Sequence, residues 1–217
     1  MHTLKRAVVV ATVIAAAVAG CGSEKDEHSA AANSKEVCGH FAKDSDTATA
    51  LSRISGTDRF SEGGSKRKQT LASLRAADGK TDSAQELQGS PLCVLKSADG
   101  ETSILSIYFR EASTVSKASS ENEKTFTFYG TGASAMASNR LASIYFHCRM
   151  QNPSKSLIIN GSLERENKLD IDGKEAADQQ MVVMNAAARQ VAKDLGCDGA
   201  GLSKQPPQAV SGVYAGK

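Results

Sequence analysis

Four cysteines, Cys38, Cys93, Cys148 and Cys197, limit the fold of this chain more than any other feature, once the residues at its start are read. The chain opens Met-His-Thr-Leu-Lys5-Arg6 and continues as 13 small and apolar residues from Ala7 to Ala19. A charged start followed by a short apolar run fits a secretory signal. The run falls short of the roughly 20 residues that cross about 30 Å of hydrocarbon. It closes in Val18-Ala19-Gly20-Cys21, which resembles a lipobox, with Val18 where Leu is commonest. We read cleavage before Cys21 and acylation of that cysteine, against the plainer alternative of a secretory signal whose cut site happens to hold a cysteine. Each buried lipid methylene contributes about 0.8 kcal/mol, so acyl chains on Cys21 would hold a domain firmly at the outer face of the cell membrane. The expected partner at this end is therefore the membrane, through lipid.

Composition divides the rest. Residues 1–20 read as the leader and 21–34 as a polar, low-complexity tether. Residues 35–203 read as one domain, and 204–217 as a loose tail beginning near Pro206-Pro207. About 170 residues are enough for a single core. The 26 basic residues lose Lys5 and Arg6 with the leader and then balance the 24 acidic ones. That neutrality argues against a nucleic-acid partner. Ser65-Lys-Arg-Lys68 reads as a solvated loop, with a contact to anionic lipid or polymer as the alternative.

In an exported chain an even set of cysteines implies disulfides. Cys38 and Cys197 fall in or beside expected helices, and Cys93 and Cys148 in expected strands. Pairing Cys38 with Cys93 and Cys148 with Cys197 would fasten a helix to the sheet in each half of the chain. Each link would stabilise the fold by roughly 4 kcal/mol at most. Loop entropy barely separates this pairing from its rivals, so a cross-strand Cys93–Cys148 bond stays open. Cys38-Gly39-His40 and His147-Cys148 raise a metal reading, but zinc sites usually bring close Cys-x-x-Cys or His-x₃-His pairs. No metal and no cofactor are expected.

The periodicity predicts helix over Lys35–Ile54, in one piece or two, and over Arg67–Ala77, with a short helical turn at Thr81–Gly89. Strands are predicted at Leu92–Ser97, Thr102–Arg110, Thr125–Tyr129, Leu141–Arg149 and Leu157–Glu164, the first two joined through Asp99-Gly100 as a hairpin. Alternation places Cys93, Leu95, Leu105, Ile107, Phe109, Phe126, Phe128, Ala142, Ile144, Phe146, Cys148, Leu157, Ile159 and Leu163 on one inward face. A final helix from about Glu175 presents Met181, Met184, Ala188, Val191 and Leu195 and stops at Gly196. Asp170-Ile-Asp172-Gly173 lacks the later residues of a calcium loop and reads as a turn. The fold class is then α+β: a single domain whose mostly antiparallel sheet has about five strands, with N-terminal and C-terminal helices packed on one face and two disulfides.

These features resemble a known group. The lipobox, the Pro-Leu-Cys-Val-Leu-Lys-Ser-x-Asp-Gly strand, the Ile-Tyr-Phe-His-Cys strand and the terminal Asn-Ala-Ala-Ala-Arg-Gln-Val-Ala-Lys-Asp-Leu-Gly-Cys look like the small cell-envelope lipoproteins of high-GC actinobacteria, streptomycetes among them. The resemblance covers most of residues 35–200. It implies a four-cysteine α+β domain and carries over no activity or site residues.

Catalytic motifs give little. Gly-x-Ser-x-Gly is absent. Ser65-Lys-Arg-Lys68 and Ser120-Glu-Asn122 match two elements of penicillin-recognising enzymes, but the Lys-Thr-Gly element is missing. His40 and His147 are the histidines of the domain, and each reads more simply as structural or exposed than as a general base. Tyr108, Tyr129 and Tyr145 share the outward face with Ile104 and Ile158, so neighbouring strands would make them a recognition platform. The competing reading buries them under a helix or loop. The expectation is a non-enzymatic module that binds an envelope protein or a small ligand; the alternative is a small envelope hydrolase whose residues converge only in three dimensions.

Overall fold

The computed structural model describes residues 31–79, 90–116 and 122–211. Nine strands occur among them: β1 (Ala32–Asn33), β2 (Arg59–Glu62), β3 (Pro91–Lys96), β4 (Ser103–Ala112), β5 (Thr127–Tyr129), β6 (Ser134–Ala137), β7 (Leu141–Gln151), β8 (Ser154–Arg165) and β9 (Ala209–Val210). They form one sheet in the order β1-β2-β3-β4-β8-β7-β6-β5-β9, with every neighbouring pair antiparallel. Three α-helices accompany it: α1 (Ser45–Ser55), α2 (Arg67–Ala76) and α3 (Gly173–Leu195). This corrects the expected fold class, because the protein is mostly sheet and the sheet is far wider than about five strands. The strands that sequence reasoning missed, β1, β2, β6 and β9, are two to four residues long. β1 falls in the expected tether and β9 in the expected tail, so both boundaries move outward. Thr81–Gly89, Ser120-Glu121, the leader and Cys21 lie outside the described residues.

Local chemistry explains where the helices begin and end. Asp44 accepts a hydrogen bond from the Thr47 amide at 2.9 Å and opens α1. Asp172 accepts from the Lys174 and Glu175 amides, both at 3.0 Å, and opens α3, so the acidic turn serves as a helix cap. Gly196 closes α3 with φ 68°, a conformation that costs glycine little. Lys155 Nζ donates to the Arg75 and Ala77 carbonyls at the end of α2, where a cation is favourable. Ahead of α1, Val37–Gly39 forms one turn of 3-10 helix. There Cys38 and His40 hold φ of 47° and 62°, left-handed values that cost a residue with a side chain about 1–3 kcal/mol. The Glu62 carboxylate accepts from the Cys38 amide at 2.6 Å and steadies that turn.

Two disulfides join these elements. Cys38 is bonded to Cys93 on β3, with Cα atoms 5.5 Å apart and a sequence separation of 55. Cys148 on β7 is bonded to Cys197, just past α3, with Cα atoms 4.7 Å apart and a separation of 49. Each fastens a helical segment to the sheet, and the cross-strand alternative does not form.

The core lies between the sheet and the helices. α3 buries Met181, Met184, Ala188, Val191 and Leu195 over β6, β7 and β8; α1 packs on α3, and α2 on β3 and β4. The inward strand residues Cys93, Leu95, Leu105, Ile107, Phe109, Ala142, Ile144, Phe146, Cys148, Leu157, Ile159 and Leu163 are all buried there. Phe126 is different: it precedes β5 and is only half-buried. Register irregularities between Pro91 and Cys93 and between Leu95 and Lys96 also move side chains across the sheet. Bulges set two adjacent residues against one partner, so Leu92 joins Cys93, and Ile104 joins Leu105, in the core.

Helix α3 and the sheet approach tightly at Gly161 of β8. A Cβ there would stand 2.6 Å from both Met184 Cε and Phe109 Cε1. The methionine can give way, but Phe109 is set edge-on against Phe146, with ring centroids 6.5 Å apart. We therefore expect Gly161→Ala to destabilise the protein by about 1–3 kcal/mol in urea denaturation, the usual range for overpacking a tight core. A loss below about 0.5 kcal/mol would mean that this seam relaxes freely.

Candidate functional site

The three central strands carry an ordered polar surface on the face away from the helices. Their registers align Tyr108 of β4 with Ser162 of β8 and Ser143 of β7. The next outward row is Arg110, Asn160 and Tyr145, and the row after it Ala112, Ile158 and His147. Strands lie about 4.8 Å apart, so Tyr108 and Tyr145 stand diagonally on either side of β8 with Asn160 and Ser162 between them. Asn160 organises this centre although asparagine fits strands poorly. Its Oδ1 accepts from Arg110 Nε at 3.3 Å and its Nδ2 donates to Ser143 Oγ at 2.9 Å. Asn160 is only 4% exposed, and these bonds satisfy its amide at both ends. Tyr108, Arg110, Tyr145 and Ile158 are half-buried, while His147 and Arg149 are exposed.

Of the three tyrosines expected on this face, the structure brings two together. Tyr129 is 2% exposed and points the other way, into the core. Pairing of Thr127 with Ala137 and of Phe128 with Met136 fixes β5, turning Phe128 outward and Tyr129 toward α3. The Tyr129 hydroxyl donates to Asp178 Oδ1 at 2.7 Å, and beside it Thr131 Oγ1 donates to Asn185 Oδ1 at 2.6 Å. Ile104 is likewise absent from the outer face, because its bulge turns it inward. Arg110 and Asn160 were not anticipated. Their signal was an asparagine at an outward position in the middle of an apolar strand.

The candidate catalytic residues do not assemble. His40 Nδ1 lies 3.2 Å from the Lys35 carbonyl oxygen, ahead of α1. His147 stands on the outer face of β7, and neither histidine has a carboxylate within 4.0 Å among the described residues. Ser65, the serine of the Ser-x-x-Lys match, instead accepts from the Val94 amide at 2.9 Å and supports β3. Among the described residues no three His, Cys, Asp or Glu side chains gather as a metal ion would require. Compared with known proteins, the chain matches no family model, no curated protein and no solved structure.

Burial, then the hydrogen bond to Asp178, then its negative charge hold the Tyr129 hydroxyl protonated far above its ordinary pKa of 10.0. The sign follows from linkage: the unfolded tyrosine releases its proton near pH 10 while the folded one keeps it, so folding stability falls as pH rises beyond that point. Urea midpoints from about pH 9 to 11 should therefore fall more steeply for the natural protein than for Tyr129→Phe. Parallel curves would remove Tyr129 from the alkaline transition.

Proposed function

We propose that the protein is a non-enzymatic binding module, anchored by lipid on Cys21 at the extracytoplasmic face of the cell membrane. In this reading the outer sheet face around Tyr108, Arg110, Asn160 and Tyr145 receives a protein partner of the cell envelope. The observation that carries it is the hydrogen-bonded centre in which Asn160, standing between the two tyrosines, holds Arg110. Tyr and Arg are enriched at protein interfaces and dominate their energetics, since each couples a large apolar contact to directed hydrogen bonds. A surface built on long strands is also held in place before the partner arrives, which lowers the ordering cost of binding. The address rests on the lipobox pattern, and the two disulfides support it, because such bonds persist in oxidising compartments. No helix among the described residues is long and apolar enough to cross a membrane.

Two measurements test this reading separately. Membrane-extracted protein should carry acyl mass on Cys21 and resist alkylation until reduced; an unmodified Cys21 would overturn the anchor. A photoreactive amino acid placed at position 108 or 145 in living cells should yield a discrete protein adduct. The same group at Gln69, exposed on α2, should not. Identical adducts from all three positions, or none from the sheet face, would remove that face as the binding surface.

A further inference from the structure

A pocket of about 340 Å³ opens at the end of β8, lined by Arg140, Arg165, Asn167, Lys168, Asp170 and their neighbours. Arg165 is the unusual member. It shares the inward parity of Leu157, Ile159 and Leu163, and it is only 6% exposed. Its Nε donates to the Asn139 carbonyl at 3.2 Å and its Nη1 to the Leu169 carbonyl at 3.1 Å. Both partners are neutral, and Nη2 has no hydrogen-bond partner among the described residues. Arg140 is turned toward the same place and donates through Nη2 to the Arg165 and Glu166 carbonyls at 3.0 and 3.2 Å. None of the ion pairs among the described residues includes Arg140, Arg165 or Lys168. Three cations therefore line this pocket against the single carboxylate of Asp170.

A buried charge is costly unless it is paired, and a guanidinium held by carbonyls alone keeps most of that cost. Burial, and next the charge of Arg140, lower the Arg165 pKa from its usual range, as expected where a cation lacks a counter-charge. The fixed carbonyl contacts also orient the guanidinium, and its planar fork suits a tetrahedral oxyanion. The excess of two positive charges matches a phosphate group, which carries about two negative charges near neutral pH. That full match holds for free phosphate or a phosphate monoester; a phosphodiester, like a carboxylate, carries one negative charge and offsets one of the two. The volume suits a small ligand or the end of a larger one.

We propose that the Arg140–Arg165–Lys168 pocket is a binding site for a phosphate group. The group comes from a free phosphate or phosphate monoester, or from the phosphodiester of a lipid headgroup or envelope polymer. The site lies apart from the tyrosine-bearing face and does not depend on that face having a partner.

The test is calorimetric titration of the full mature chain in detergent, at constant ionic strength, with inorganic phosphate and with dimethyl phosphate as the diester probe. Saturable binding of at least one probe is expected, with Kd of about 1 mM or tighter. The tighter probe identifies the source. Arg140→Gln and Lys168→Gln, both at exposed positions, should keep the natural melting temperature and weaken binding at least about ten-fold for the arginine. Arg189→Gln, on α3 and outside the pocket, should bind as the natural protein does. Failure of both probes to saturate, or natural affinity in Arg140→Gln and Lys168→Gln alike, would overturn the site.

Discussion

The seam where α3 lies across β7 and β8 is the contact on which the other features rest. Gly161 has no side chain, so Met184 and Phe109 meet over its backbone, and Phe109 turns its edge to Phe146. With the helix seated that close, Asp178 and Asn185 come within hydrogen-bond reach of Tyr129 and Thr131 on one side. At the end of the helix, Gly196 turns the chain so that Cys197 meets Cys148. α2 is then fixed to α3 by the Arg67–Asp194 ion pair and by Arg75, whose Nη2 donates to the Asp194 carbonyl at 2.6 Å. A core closed in this way consumes one face of the sheet and leaves the polar rows of β4, β8 and β7 on the other.

The long elements were legible because their periods run for enough residues to establish a face. β4, β7 and β8 each offer ten or more residues of alternation, and α3 repeats its apolar stripe over 23. The placement of Cys148 on one of those elements and of Cys197 just past another favoured the helix-to-strand pairing, although the cross-strand rival stayed open in the sequence. The edges of the sheet could not be read in the same way. A two-residue strand such as Ala32–Asn33 or Ala209–Val210 has no period, and only the hydrogen-bonding edge of β2 or β5 makes it a strand. Ser134–Ala137 contains small residues that suit a turn equally well, until β7 lies beside it.

The faces of the candidate site show the same dependence on neighbours. Tyr108 and Tyr145 were placed well because each sits inside a long strand of settled parity. Tyr129 was not: β5 has three residues, and its parity is set by β6, which sequence reasoning did not find. One unseen strand was enough to exchange Phe128 and Tyr129 between faces. The bulges of β3 and β4 act similarly, moving Leu92 and Ile104 without altering their sequence neighbours. Arg165, by contrast, was readable and passed over. Counting by twos from Leu157 through Ile159 and Leu163 ends on a charge, an inward arginine that a purely structural strand would have no reason to keep.

Charge is what separates the two surfaces. On the outer face Arg110 keeps its charge, because Asn160 is a neutral partner, and that charge is set among the hydroxyls and amides between the tyrosines. At the end of β8 two guanidiniums are gathered, one of them nearly buried, and backbone carbonyls fix Arg140 and Arg165 without neutralising them. Coulomb attraction strengthens as the effective dielectric falls, so an anion entering beside a nearly buried guanidinium gains more than it would against an exposed lysine. Tyrosine-rich surfaces select partners mainly by shape and contact area, and a semi-buried cation pair selects by charge. The same fold thus presents two surfaces of different chemistry, one built on the faces of its strands and the other on the carbonyls where they end.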